Sequence, residues 1–326
     1  MARRMAHAEG FASSAMKAAR IHRFGAPAVI VVDDLPRPTP GVDQVSVCVA
    51  SAGVGPWDAL IRENKSAVNA PLPLILGSDL SGVVEAVGPG VTQFRPGDEI
   101  YGVTNPQFVG AYAELALASA NMIARKPASL SFHEAASAPV VAVAAWQMLF
   151  DYAKASSGQS VLILGAGGNV GAYAVQLASQ AGLHVYATAS ADDAPYVQSL
   201  GATAVIDYKQ TRFEAVVPKV DIVLDLVGGE TRERSFKIIK TGGILVSVVS
   251  EPLPDPGRLT NTRAVFFLAE VTTERLDKLA ELFNHNKLTP HVGTVLPLEQ
   301  VRKAHEMLAG APHQPGKIVL SLSDKM

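Results

Sequence analysis

Cysteine is almost absent from this chain of 326 residues, in which Cys48 is the single thiol. One cysteine excludes an intramolecular disulfide and any zinc site that needs several thiolates. An excess of either charge is lacking too, because 28 Lys and Arg residues nearly balance 30 Asp and Glu residues, for a net charge of −2. Such a balance gives no field to attract nucleic acid or an anionic membrane surface, so we expect neither as a partner. We expect a protein of the reducing cytoplasm.

Long hydrophobic runs are also missing. The most apolar segment, residues 135–150, is shorter than the roughly 20 residues that a bilayer requires, and Pro139 and Gln147 interrupt it. We therefore predict a buried helix there. Residues 1–15 lack the apolar centre of a signal peptide, and we predict a tail that precedes the fold; an organellar transit segment is the alternative. The length suits two domains, and 48% hydrophobic residues supply a large core.

The local pattern changes near residue 138. Before residue 130, short Val- and Ala-rich segments separated by Pro, Gly and Asp predict a mainly β region, with strands at 45–49, 82–87 and 99–101. Ser131 and Glu134 have the spacing of a capping box, and Pro139 suits the first turn of the next helix. From residue 160, short apolar runs alternate with helical patterns, which predicts a parallel sheet with crossover helices. Helices at 274–284 and 298–308 and a strand at 317–322 should follow.

The most informative segment is VLILGAGGNVG, residues 161–171. It predicts a buried strand, a glycine-rich turn that lets the backbone approach a pyrophosphate, and a helix packed closely on the sheet. The helix N-terminus offers free N–H groups and a partial positive charge to phosphates. A tight strand-to-helix turn without a ligand is the alternative, but the helix and the second strand at 184–189 are both present, so we predict nucleotide binding.

The end of the second strand bears on which nucleotide binds. An NAD site usually has Asp or Glu there, whereas this chain has Ala189 and Ser190. No carboxylate at that position repels a 2′-phosphate, and the Ser190 hydroxyl can donate to one, so we predict NADPH rather than NADH. No Arg or Lys follows directly, whereas Asp192 and Asp193 do. Tyr208 is a second possible donor, although a Tyr after a buried strand often covers the core instead.

Several ordered motifs carry a family resemblance. They are GSDLSGVVEAVGPGVTQFRPGDEIYGV at 77–103, the glycine loop with its spacing at 165, 168 and 171, LGATAVIDY at 200–208, DLVGGE at 225–230 and GKIVL at 316–320. Together they resemble the medium-chain dehydrogenase/reductase superfamily, in particular its zinc-independent quinone oxidoreductase branch, to which zeta-crystallin belongs. The likeness extends from about Met16 to the C-terminus.

The resemblance implies an α/β fold in which a doubly wound Rossmann sheet is inserted into a GroES-like β-barrel domain. Residues 138–264 would form the Rossmann domain, and residues 1–137 and 265–326 the GroES-like catalytic domain, with the active site in the cleft between them. A hydride would pass from NADPH to a small molecule, either a quinone or the β-carbon of an α,β-unsaturated carbonyl compound. We also expect a homodimer.

The resemblance and the motifs also name candidate site residues. Those expected to hold NADP(H) are Gly165, Gly168, Asn169, Val170, Gly171, Ser190, Tyr208, Val227 and Gly228. Those expected to line the substrate pocket are Gly55, Trp57, Asp58, Phe108 and Phe267, with an ion pair between Asp58 and Arg62 shaping the wall. No catalytic residue is assigned; Tyr101, Asn105 and Tyr112 are candidates to stabilise an enolate oxygen, although a turn-forming Asn or a core Tyr explains each of them equally well.

The fold that the resemblance implies is shared by the zinc alcohol dehydrogenases, whose catalytic zinc needs Cys and His ligands. The positions that match their catalytic zinc ligands are Gly55 and Ser78, neither of which binds zinc tightly, and we predict no metal. Gly55, Leu60 and Ala144 also stand where the quinone oxidoreductase branch often has Asn, Tyr and Thr. The alternative function is therefore a catalytically weak NADPH-binding protein with a structural or regulatory role, as in the lens crystallins among the relatives.

Overall fold

The computed structural model describes residues 15–68, 70–251 and 261–322. The predicted tail lies outside these residues except for Ala15, which begins the first strand. The amino-terminal part consists mainly of strands, as predicted, and each of the three predicted strands lies in an observed one. Its elements are β1 (Ala15–Ile21), β2 (Ile30–Pro36), β3 (Gln44–Val54), α1 (Pro56–Arg62), β4 (Leu74–Ile75), β5 (Asp79–Val87), β6 (Glu99–Val103), β7 (Leu115–Ser119) and β8 (Ile123–Arg125).

Helices α2 (Phe132–Ser137) and α3 (Pro139–Trp146) lead out of this part. The predicted capping box starts α2: the Glu134 N–H donates to Ser131 Oγ over 3.3 Å, and the Ser131 N–H donates to Glu134 Oε2 over 2.8 Å. Pro139 occupies the first turn of α3, also as predicted, where its missing N–H has no cost. A π-helical turn, Gln147–Tyr152, follows and was not predicted.

Strands and helices alternate in the next part, as the pattern predicts. The elements are β9 (Ser160–Leu164), α4 (Asn169–Gln180), β10 (His184–Ala189), α5 (Ala194–Ser199), β11 (Ala204–Asp207), α6 (Phe213–Val216), β12 (Val220–Asp225), α7 (Gly229–Ser235), β13 (Ile239–Ser247) and β14 (Arg263–Phe266). The chain then continues with α8 (Thr273–Asn284), β15 (Val292–Pro297), α9 (Val301–Leu308) and β16 (Lys317–Ser321).

The six strands of the alternating part form one parallel sheet, in the order β11-β10-β9-β12-β13-β14. This is the strand order 3-2-1-4-5-6 of a doubly wound Rossmann sheet. Its last strand ends at Phe266, two residues beyond the predicted domain limit at 264. The division of the chain into domains stays a prediction.

A second sheet joins the two ends of the described chain. Its strands follow the order β15-β16-β3-β5-β6-β8, with β7 paired to β3, and a small sheet, β2-β1-β4, lies beside it. One large apolar cluster lies between the parallel sheet and helices α3, α4 and α8, and another lies within the seven-stranded sheet. In the described part of the chain, no helix is both long enough and apolar enough to cross a bilayer.

Candidate active site

The glycine loop joins β9 to α4 at the carboxyl edge of the parallel sheet. Gly165 has φ +82°, a conformation that other residues adopt only with strain, and its N–H donates to Thr188 Oγ1 over 3.0 Å. Gly168 is the N-cap of α4, and no described side chain caps this helix. The N–H groups of Asn169 and Val170 therefore remain available to an anion, which is the arrangement that binds a pyrophosphate.

The other two glycines of the motif have different roles. A Cβ atom at Gly171 would lie 2.5 Å from the Gly165 carbonyl oxygen and 2.6 Å from Ala166 Cα, so only glycine lets α4 pack this closely on the loop. Gly168 has φ −78°, and a Cβ there would meet only the Gly165 oxygen, at 3.4 Å. The protein itself would tolerate a side chain at Gly168, so the space in front of it is free for a ligand.

The loop after β12 lies beside the glycine loop. The carboxylate of Asp225, buried at the end of β12, accepts hydrogen bonds from the N–H groups of Val227 (3.1 Å) and Gly228 (2.7 Å). These bonds fix Val227 so that its side chain is 3.0 Å from where a Gly165 Cβ would be. The two loops follow adjacent strands whose connections run in opposite directions, and ligands of doubly wound sheets bind at such a switch point.

The two predicted ribose-side donors share the same edge of the sheet. Ser190 follows β10, and its hydroxyl donates to Asp193 Oδ2 over 2.8 Å. Tyr208 follows β11, its N–H donates to the Ala189 carbonyl oxygen over 3.2 Å, and the residue is 58% exposed. The structure thus brings Ser190 and Tyr208 together, but the Ser190 hydroxyl already has an acidic partner.

The indole of Trp57 fills the space between the two positions that match zinc ligands. Its Nε1–H donates to Ser78 Oγ over 2.9 Å, and a Cβ at Gly55 would lie 2.4 Å from its six-membered ring. Lys317 Nζ lies 4.3 Å from the ring centroid, a cation–π contact. Glycine and serine offer no strong zinc ligand, and the indole takes the volume of the ion, so these residues do not fit a catalytic zinc. The described residues also contain no group of three His, Cys, Asp or Glu side chains arranged to hold a metal.

A buried ion pair supports the indole from behind. Lys317 Nζ is 3.2 Å from Asp79 Oδ2, and the two side chains are 2% and 0% exposed. The other oxygen of Asp79 accepts from the Val140 N–H at the start of α3, over 3.2 Å. Burial raises the pKa of Asp79, and the Lys317 ammonium opposes that rise. Lys317 also lines a narrow cleft together with Gly168 and other residues of the glycine loop, so one side chain links the two parts of the site.

Asp58 is a second buried acid next to the indole. Its Oδ2 accepts from the Gly55 N–H and from the Tyr112 hydroxyl, each over 2.8 Å, and its Oδ1 has no partner among the described residues. Burial raises the pKa of Asp58 to about 7. Burial and the neighbouring Asp58 carboxyl raise the pKa of Tyr112 well above its usual value, so its hydroxyl stays protonated and bound to Asp58.

The predicted ion pair between Asp58 and Arg62 is wrong. Arg62 is buried, but its Nε–H donates to the Gly25 carbonyl oxygen over 2.9 Å, and its Nη1 lies 2.6 Å from His305 Nδ1. Burial, together with the Arg62 charge, lowers the pKa of His305 to about 3, so its neutral ring accepts the hydrogen bond. Arg62 also pairs with Glu63, and among the described residues no ion pair or hydrogen bond joins it to Asp58.

The remaining candidates make contacts of their own. The Tyr101 hydroxyl is buried and donates to the Leu276 carbonyl oxygen over 2.6 Å, which ties β6 to α8. The Asn105 side chain closes its own turn, donating to the Val109 carbonyl oxygen over 2.8 Å. Phe108 is half-buried with φ +59°. Phe267, which follows β14, stacks on the ring of Tyr152. These contacts are structural, and they leave the roles predicted for these residues untested.

Comparison with known proteins places this arrangement in a family. Residues 200–320 match a family model described as zinc-binding dehydrogenase, and residues 41–128 match the alcohol dehydrogenase GroES-like domain. The chain is 30% identical to the quinone oxidoreductase of Mus musculus, over 94% of this chain and 98% of that protein. It belongs to the quinone oxidoreductase branch of the medium-chain dehydrogenase/reductase superfamily. Members of this superfamily are oxidoreductases, and so is this one.

Other members of the superfamily extend the comparison. The chain is 35% identical to 2-methylene-furan-3-one reductase of Solanum lycopersicum, over 76% of this chain and 63% of that enzyme. The solved structure of the quinone oxidoreductase from Coxiella burnetii superposes with a TM-score of 0.87 at 33% identity, covering 95% of this chain and all of that one. The medium-chain dehydrogenase/reductase fold predicted from the motifs, with its Rossmann and GroES-like parts, is thereby confirmed.

Sequence reasoning missed two members of the site. Asp79 and Lys317 both lie in motifs that carried the family resemblance, GSDLSG and GKIVL, but neither was identified as a site residue. A signal was present, because an acid and a lysine in otherwise apolar strands must find a partner if both are buried. Which partner each finds depends on β16 lying beside β3, which no local pattern shows.

Proposed function

We propose that this oxidoreductase is a zinc-independent, NADPH-dependent reductase of quinones or of α,β-unsaturated carbonyl compounds. The observation that carries the proposal is the uncapped glycine loop, with Lys317 in the same cleft and with the Trp57 indole where a catalytic metal would lie. When bound, the nicotinamide supplies the hydride. The relatives named for quinone and furanone reduction support the substrate class.

The chain's own residues would position the cofactor and exclude water. The N–H groups of Asn169 and Val170 would bind the pyrophosphate, and Val227 and Gly228 would lie along the nicotinamide half. The Trp57 indole, fixed by Ser78 and Lys317, presents a flat apolar surface for a planar substrate. Because Trp57 Nε1–H is bound to Ser78, we do not assign it as the donor to a developing enolate oxygen.

NADPH is the cofactor we propose, with a modest preference. Ala189 and Ser190 place no carboxylate at the end of β10, which favours a 2′-phosphate. The preference should be about tenfold, equivalent to about 1.4 kcal/mol. A larger preference is not expected because the Ser190 hydroxyl donates to Asp193.

The test is NADPH consumption with a panel of quinones and enones, measured before and after prolonged chelation. Turnover that survives chelation supports the proposal. Stoichiometric zinc that is lost together with activity would refute metal independence. NADPH binding without turnover of any panel member would favour the crystallin-like alternative. We also propose that the protein is a cytoplasmic homodimer in which residues 138–264 form the cofactor-binding domain. Cell fractionation would test the location, light scattering the dimer, and expression of residues 138–264 alone the domain.

A further inference from the structure

Ser190 and a lysine follow two neighbouring strands, β10 and β11, where these strands end. Ala189 pairs in register with Asp207, so the segments that follow these two residues leave the sheet side by side. The bond from the Tyr208 N–H to the Ala189 carbonyl oxygen holds them together. Lys209 comes next, exposed, with Nζ 5.9 Å from the centroid of the Tyr208 ring. No cation directly follows Ser190 in the sequence, but the segment after the neighbouring strand carries one at the same edge of the sheet.

A carboxylate lies on the other side of Ser190. Asp193 Oδ2 accepts from the Ser190 hydroxyl over 2.8 Å, and the Asp193 N–H donates back to Ser190 Oγ over 3.2 Å. The carboxylate also lies against the glycine loop, because a Cβ at Gly167 would be 2.8 Å from Asp193 Oδ2. Asp193 therefore places a negative charge between the loop that would bind the pyrophosphate and the residue that would meet the ribose.

We propose that Lys209 and Asp193 act in opposition to set the choice between the two nicotinamide cofactors. Lys209 attracts the 2′-phosphate of NADPH, whereas Asp193 repels it and can accept a hydrogen bond from the free 2′-hydroxyl of NADH. This inference rests on the proposed function, since it assumes that the nucleotide binds at the glycine loop. It explains why the NADPH preference should be modest, because the two charges offset each other.

Two other acids lie nearby and are weaker candidates. Asp207 Oδ1 accepts from the Lys209 N–H over 3.0 Å, which directs that carboxylate toward its own turn. Asp192 is exposed and has no described hydrogen bond to Ser190, which makes it a matched control for Asp193. Lys219 is the matched control for Lys209. It is also exposed, but it precedes β12 and therefore lies at the amino ends of the parallel strands, whereas Lys209 and Ser190 lie at their carboxyl ends.

The experiment compares two probes that differ only in the 2′-phosphate, adenosine 2′,5′-bisphosphate and 5′-AMP. Their Kd values are measured by calorimetry on the full chain for the wild type, Asp193→Asn, Lys209→Gln, Asp192→Asn and Lys219→Gln. Asn at 193 keeps an acceptor for Ser190 but removes the charge. Asp193→Asn should tighten the bisphosphate relative to 5′-AMP about fivefold, and Lys209→Gln should weaken it by about the same factor. Both changes should shrink in high salt, and the controls should leave the ratio unchanged.

Each outcome decides between the two proposals. If the ratio of the two Kd values stays the same in Asp193→Asn and Lys209→Gln, or if the control variants shift it equally, the opposition of these charges is wrong while the proposed function stands. If a folded variant binds both probes more weakly by the same factor, the replaced residue supports the glycine loop and does not distinguish the 2′-phosphate. That result also overturns the inference. A wild type that binds neither probe would overturn the proposed function itself, because that function requires a nucleotide site at the glycine loop. The measurement tests this site alone, since it involves no quinone and no hydride transfer.

Discussion

Replacing Lys317 by methionine should expose the energetics of the buried ion pair. Methionine has nearly the same length but no charge, so Asp79, which is 0% exposed, would lose the one cationic partner that it has among the described residues. Removing one member of a buried pair destabilises a protein by about 3–5 kcal/mol, because an uncompensated charge stays buried. The hydrogen bond from Val140 to Asp79 compensates only in part.

The loss should depend on pH. Burial already raises the pKa of Asp79 above its ordinary value of 3.8, and Lys317 lowers it, so the variant raises it further. A carboxyl whose pKa is higher in the folded state stabilises the fold fully below the unfolded pKa and loses that contribution as the pH rises through the folded pKa. Lys317→Met should therefore be most unstable in alkaline solution and recover as the pH falls toward that of the protonated acid.

Urea unfolding at about pH 5 and about pH 8 measures this difference. The matched control is Lys303→Met, the same change at an exposed position on α9, which should have little effect. The double variant Asp79→Asn with Lys317→Met removes both charges and should recover part of the stability and most of the pH dependence. A loss below about 1 kcal/mol for Lys317→Met, or the same loss at both pH values, would refute the argument.

Three further predictions concern the rest of the site. Gly168→Val should fold normally, because the nearest atom to a Cβ there is 3.4 Å away, but it should abolish most NADPH binding by calorimetry; undiminished affinity would contradict the loop assignment. The wild type should lose stability as the pH rises from 3.8 toward about 7, because buried Asp58 gives up its proton over that range, whereas Asp58→Asn has no such proton and should not show this loss. If the stabilities of the two proteins changed with pH in the same way, the raised pKa would be contradicted. Gly55→Asn should displace the indole, whose ring is 2.4 Å from the new Cβ, and an unchanged Trp57 emission spectrum in a Trp146→Phe background would argue against that contact.

Features set by neighbouring residues could be predicted from the sequence. The strand, glycine turn and helix around Gly168 and the capping box of Ser131 and Glu134 each depend on a few consecutive residues, and all were found where predicted. Features that depend on which strands lie side by side could not be predicted. Lys209 and Ser190 follow strands that lie side by side only because β11 pairs with β10, and the Asp58 prediction failed because distant residues, Gly25 and His305, bind Arg62 instead.

The position of β16 has a consequence for the order in which the protein is completed during synthesis. The parallel sheet is built from one continuous stretch of chain, so it can assemble while the remainder is still being translated. The seven-stranded sheet needs β16 to join β15 to β3, and β16 is the last described strand to leave the ribosome. Asp79 cannot pair with Lys317 before that strand is made. A nascent chain can thus form its glycine loop well before Lys317 contacts the Trp57 indole.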